Sequence, residues 1–290
     1  MMAPLAGLKF MAITWCKYTR TPHDSLNFRE NSERLITDQA ENNVGQAFPY
    51  YECALKAMIL DWRAKLELPD VPFVVVQLQP WCTAAKYCDD PLTAPLAAPP
   101  TALAEIRLAQ AAAAATVPGT SLVTAVDLGS VHSQAGSCHS AQKPELGKRI
   151  ALALKGAVYD NNTLWESPVA RSVSREGSSI VVDFSAPGGS GLALNASARC
   201  PAAVLPVFCR PGVGFELCTA GACKLAASVS VQANSTRVVL PADASVTRVR
   251  YLFADWPVVS LRDAVTGLPA LPFDINVSAG AGPLPVGTGD

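Results

Sequence analysis

The hydrophobic positions fall into two regimes along the chain. In the first, apolar runs of strand length alternate with stretches of helical period. Phe48, Tyr51, Leu55, Met58, Ile59, Trp62 and Leu66 recur every three or four residues, which predicts an amphipathic helix over 47–66. The nearly continuous β-branched run at 71–78 (VPFVVVQL) predicts a strand buried on both faces of a parallel sheet. Leu103, Ile106 and Ala113 share one face of an alanine-rich helix over 101–115. A Pro118-Gly119 turn then leads into a strand at 121–128 (SLVTAVDL). A third helix begins near Pro144, a favourable first-turn position for proline, and runs to about Val158. With an opening strand at 8–15 (LKFMAITW), the order is the βαβ alternation of a parallel sheet flanked by helices.

After Tyr159 the regime changes. Short β-rich runs (SSIVVDFS, GLALNAS, GFELC, ASVSVQ, TRVVLP, VTRVRYLF) are separated by Gly, Pro, Asn and Asp, and helical period is absent. This spacing predicts an antiparallel sandwich or similar small β domain. The expected organisation is an α/β domain over 1–159 and a β-sandwich-like domain over 160–290, with the boundary near 160.

Composition narrows the function classes. Half of the 290 residues are hydrophobic and 16% are charged, which excludes a largely disordered chain. A formal net charge of −1, with basic residues spread evenly, makes nucleic acid and anionic membrane surfaces poor partners. No apolar run reaches the roughly 18 residues of a membrane span. With no C-x-x-C pair and only 3 histidines, a zinc site has little support, and no metal is expected. Four glycosylation sequons, at Asn161, Asn195, Asn234 and Asn276, share the second half with Cys200, Cys209, Cys218 and Cys223. Together they favour an oxidising, secretory environment, although the start of the chain does not read as a signal peptide.

In an open parallel sheet, ligands bind beyond the carboxyl ends of the strands. Three loops qualify: the one ending in Asp38-Gln39-Ala40-Glu41-Asn42-Asn43, the one beginning Gln79-Pro80-Trp81, and GSVHSQAGSCHSAQK after 128. The last carries His132 and His139, either of which could serve as general base for an oxygen nucleophile or stand as a surface histidine in a serine-rich loop.

Six short motifs occur in order: DWR at 61–63, PFVVVQL at 72–78, EIRLAQ at 105–110, AVDLG at 125–129, GSCH…K…LGKR at 136–149, and VRYLFADWP…GLPALPF at 249–273. In this order the chain resembles the carboxyl-terminal part of the sialate O-acetylesterase family of SGNH-type hydrolases. The resemblance covers nearly the whole chain apart from 16–37, which is expected to be an insertion outside the family pattern. It implies a partial SGNH-like sheet, removal of acetyl esters from sialic acid or related sugars, no cofactor, and a secreted, lysosomal or vacuolar location.

Position by position, the resemblance places the family's catalytic histidine on His139, leaves His132 without a counterpart, and puts Gln39, Glu41 and Asn43 in an oxyanion loop. An amide donor there could stabilise a developing oxyanion, while Asn42 or Asn43 could equally cap the following helix. Position 136 is Gly where an acid often precedes the histidine, so no orienting acid is assigned. The family's nucleophilic serine lies upstream of the matching segment, and no G-x-S-x-G or G-D-S replaces it. The expectation is therefore a truncated carbohydrate esterase; the alternative is an inactive remnant or glycan-binding module using Trp81, Trp165 or Trp256. A bridge between Cys218 and Cys223 matches a family cysteine pair, and Cys200–Cys209 is a second candidate; reactive free thiols are the alternative. An incomplete parallel sheet would also leave an open strand edge.

Overall fold

The computed structural model describes residues 50–82, 88–89, 101–133, 136–189, 191–210 and 212–278. The strand expected at 8–15 and the segment 16–43 lie outside them. The α/β part comprises α1 (Tyr50–Lys65), β1 (Phe73–Gln77), α2 (Ala102–Thr116), β2 (Thr120–Thr124) and α3 (Lys143–Val158). β1 and β2 pair in parallel, with Val75 opposite Leu122. Phe73, Val75 and Leu122 meet Leu55, Ile59, Ile106, Ala109 and Ala113 of α1 and α2 in one core. α3 packs chiefly over β2. That offset corrects the expectation of a strand buried on both faces: in β1 only Val75 and Gln77 are buried, and Val74 and Val76 remain half-covered.

Among the described residues, side chains as well as β2 bond the backbone at the end of β1. The Gln110 amide accepts from Leu78 N (3.0 Å) and donates to Val76 O (3.0 Å), the pair of bonds a neighbouring strand would make. Arg107 Nε adds a bond to Leu78 O (2.8 Å). This stretch of edge is therefore covered, not open. At the other end of the sheet Arg63 donates to Val71 O, Pro118 O and Gly119 O, fixing the end of α1 to the turn before β2.

Among the described residues no helix follows Val158. Two four-stranded antiparallel sheets take over. One has the order β3 (Val169–Glu176), β4 (Ser179–Ser185), β9 (Arg237–Pro241), β8 (Ser230–Val231). The other has the order β12 (Phe273–Asn276), β10 (Arg248–Tyr251), β6 (Phe215–Cys218), β7 (Cys223–Leu225). A separate pair joins β5 (Leu192–Leu194) to β11 (Leu261–Asp263). Inward residues of both large sheets, including Ile180, Val182, Phe184, Phe215, Val249, Tyr251 and Phe273, form one core. Its centre is aromatic: Phe273 lies 5.9 Å from Phe184, 6.3 Å from Phe215 and 6.0 Å from Tyr251, centroid to centroid. The Tyr251 hydroxyl accepts from Leu261 N, and burial pushes its pKa up to about 12.

A third, smaller core joins the two parts. Cys82, Cys88, Val204, Phe208, Cys209, Trp256 and Val258 pack together, with disulfides Cys82–Cys88 and Cys200–Cys209 built into it. Trp256 N donates to Phe208 O (3.0 Å) and Leu205 N to Cys88 O (3.0 Å).

Candidate active site

The loops after β1 and β2 leave the same end of the parallel sheet, and buried polar side chains hold them there. Arg107, on α2 and fully buried, donates to Leu78 O and to Gln79 O (2.9 Å) on one side. On the other it donates to Ala254 O (2.8 Å) and Asp255 O (3.0 Å), from the segment after β10. Burial pushes its pKa down to about 10, against the opposing charge of Asp255, so it stays protonated at neutral pH. Asp255 also accepts from Leu103 N (3.1 Å) in the first turn of α2. Thr101, at the cap position, makes no side-chain cap, so a residue 152 positions away supplies it.

The loop carrying His139 is tethered on both sides of that residue. Before it, the Gln79 side-chain amide donates to Cys138 O. After it, the Ser140 hydroxyl donates to Leu128 O and lies 3.1 Å from the Ser130 hydroxyl, which accepts from Ala141 N (3.0 Å). His139 N donates to Gly136 O (3.0 Å), and its side chain is exposed. Of the neighbouring serines, Ser140 is spent on the loop, and Ser137 is fully buried with no hydrogen-bond partner for its hydroxyl among the described residues.

A charge cluster gathers just after the end of β2. Asp127, its side chain 8% exposed, accepts from Arg149 Nη1 (2.7 Å) and Nη2 (3.0 Å), and from Arg262 Nη1 (2.9 Å) of β11. Burial works against its charge, but the bonds and charges of the two guanidiniums outweigh that and hold its carboxyl below the usual carboxylate range. Arg149 also donates to Thr124 O (2.9 Å), the last residue of β2. A cleft of about 270 Å³ opens beside the cluster, walled by Pro80, Asp127, Gly129, Arg199, Trp256 and Arg262 among others. Only glycine fits at 129: an added Cβ would lie 2.8 Å from the Trp256 ring and 2.9 Å from Pro80.

The other sequence candidates are placed as follows. Gln39, Glu41 and Asn43 lie outside the described residues. His132 is exposed, its Nε2 3.6 Å from Asp89 Oδ2 at the surface. Asn161, Asn195, Asn234 and Asn276 are all exposed. Cys218 is bonded to Cys223 across the β6–β7 hairpin. Of the tryptophans proposed as sugar platforms, Trp81 and Trp165 are half-buried, Trp165 lying against Gly156 of α3, where a Cβ would meet it at 2.2 Å, and Trp256 is a core residue that lines the cleft. Sequence reading named Gln79 only as the start of a candidate loop and missed Arg107, Asp127, Arg149, Asp255, Arg262 and the Cys82–Cys88 bond. Arg107, Asp127, Arg149 and Asp255 stand inside the quoted motifs EIRLAQ, AVDLG, LGKR and VRYLFADWP, and that was their visible signal. Among the described residues no group of three or more His, Cys, Asp or Glu is gathered to hold a metal. No described helix is long and apolar enough to cross a membrane.

No family model matches this chain, and the comparison with curated proteins found no match. Among solved structures, a carbohydrate acetylesterase from Xanthomonas citri superposes with a TM-score of 0.62 at 23% sequence identity. The match covers 81% of this chain and 48% of that one, so this chain spans about half the length of that esterase. At this identity the likeness is one of fold: a small parallel α/β part joined to antiparallel sheets.

Proposed function

We propose that this chain is a carbohydrate O-acetylesterase-like hydrolase whose general base is His139. The observation that carries the reading is the position of His139: exposed, on the loop after β2 at the carboxyl end of the parallel sheet, in a fold shared with a carbohydrate acetylesterase. In this reading a serine hydroxyl, which no G-x-S-x-G or G-D-S motif of this chain supplies, attacks the acetyl carbonyl to form an acetyl-serine while His139 takes its proton. The imidazolium returns that proton to the departing sugar oxygen, and water then releases acetate. Amides of the 39–43 loop (Gln39 and Asn43, with Glu41 beside them) would hold the oxyanion. Sialic acid is the finer substrate assignment, and it rests on the motif resemblance. No organic cofactor enters the reaction. The exposed sequons at Asn161, Asn195, Asn234 and Asn276, with the disulfides, support a secretory, extracellular or lysosomal setting.

The experiment is acetate release from an O-acetylated sugar and from nitrophenyl acetate by the purified protein, beside His139→Ala. Loss of at least about 100-fold in kcat on substitution is expected. Hydrolysis indifferent to that change removes the reading. A non-catalytic glycan-binding role is the second reading, favoured by the lack of a G-x-S-x-G or G-D-S serine and by the cleft beside Asp127. Sugar binding without hydrolysis in either protein would establish it.

A further inference from the structure

His139 is held through its backbone neighbours, and one of the two tethers comes from another loop. Ser140 and Ser130 belong to the same loop as His139 and move with it. Gln79 does not: it sits after β1, and its own carbonyl is fixed by Arg107, which is anchored in turn to Ala254 and Asp255 of the β part. Its amide crosses to the Cys138 carbonyl, one peptide before the histidine. This is the described side-chain bond that joins the β1 loop to the loop carrying His139. We infer that Gln79 is the positioning residue of His139, setting where the imidazole stands relative to the sheet and passing on to it the placement of the β part. The inference rests on the role proposed for His139, but its first test does not need hydrolysis.

Cys138 is half-buried beside the tether and belongs to none of the described disulfides, so its alkylation reports the loop. The measurement is the alkylation rate of Cys138 by iodoacetamide, followed peptide by peptide by mass spectrometry, in the unaltered protein, Gln79→Ala and Gln79→Glu. Glutamate keeps the shape but has no N–H to donate and repels the carbonyl. Both variants are expected to label about five- to tenfold faster, following the loop-opening equilibrium, with a melting temperature within about 3 °C of the parent. Equal rates in all three overturn the inference, whether or not the protein hydrolyses esters. In a protein that does hydrolyse an acetyl ester, kcat should fall about tenfold at unchanged KM, because a misplaced base costs only the reacting state. Faster labelling with kcat unchanged overturns the catalytic half of the inference. Absence of hydrolysis in the parent removes the esterase reading and leaves the labelling result to decide the tether.

Discussion

The two parts of the molecule are held together by different means. The core of the β part is built from large apolar and aromatic side chains that interdigitate between two sheets, with Phe215 and Tyr251 at a centroid distance of 4.4 Å. The core of the α/β part is lean: much of it is alanine, at positions 109, 113 and 114. Beside a few larger apolar residues such as Ile59 and Ile106, its interior holds Gln77, Arg107, Gln110 and Arg149, polar side chains that are almost fully buried. Apolar packing is non-directional, whereas each buried guanidinium or amide demands particular acceptors. Two of those acceptors, Ala254 O and Asp255 O, both bonded to Arg107, belong to the β part. The comparison teaches that the α/β part depends on its neighbour for polar satisfaction, and that the loops carrying the candidate chemistry are the places where this dependence is felt.

The comparison breaks or sharpens most under Asp127→Ala. Removing this carboxylate leaves Arg149, its side chain 7% exposed, and Arg262 without their shared partner, which should cost about 3–5 kcal/mol in urea denaturation. A loss below about 1 kcal/mol would mean that the α/β part stands by itself. Gly129→Ala is next. It forces a methyl group into Trp256 and Pro80 at the junction and should cost about 1–3 kcal/mol, with the change reported by tryptophan fluorescence. A neutral result would show that the junction core yields more easily than its packing implies.

The smallest effect is in acid. The folded Asp127 carboxyl titrates below its unfolded value, so its contribution is fully present above the ordinary carboxylate range and is lost as pH falls through the depressed value. Asp263, in the β part, is also held low: burial opposes its charge, but hydrogen bonds from Thr266 N, Val265 N and Gly188 N prevail. Asp127→Asn and Asp263→Asn should each flatten part of the acid limb of stability against pH. If only the Asp263 variant does so, the clasp at Asp127 contributes nothing to acid resistance.

The α/β elements were legible because their signals are local. Helical period marked 47–66 and 101–115, and α1 and α2 occupy Tyr50–Lys65 and Ala102–Thr116. The run 71–78 and the Pro118-Gly119 turn marked the two parallel strands. β3 was missed because Arg171, Ser172, Ser174 and Arg175 interrupt its apolar alternation, and its register shift between Ala170 and Ser172 adds a further irregularity. β11 (LRD) and β12 (FDIN) are too short for any period to show. At the candidate site, His139 was legible as a loop histidine, while its tether Gln79 read only as one residue of a strand-to-loop transition.

By itself the sequence determined the alternation of helices and strands from α1 to α3 and the short strands that follow, since periodicity and turn residues act over a few positions. Only the tertiary structure decided that Arg107 reaches Ala254, 147 positions away, that Asp127 reaches Arg262 across 135, and that Asp255 caps α2 across 152. A buried charge or amide takes whichever acceptor the fold delivers. Which one that is depends on how whole sheets and helices pack, and no local pattern carries that information.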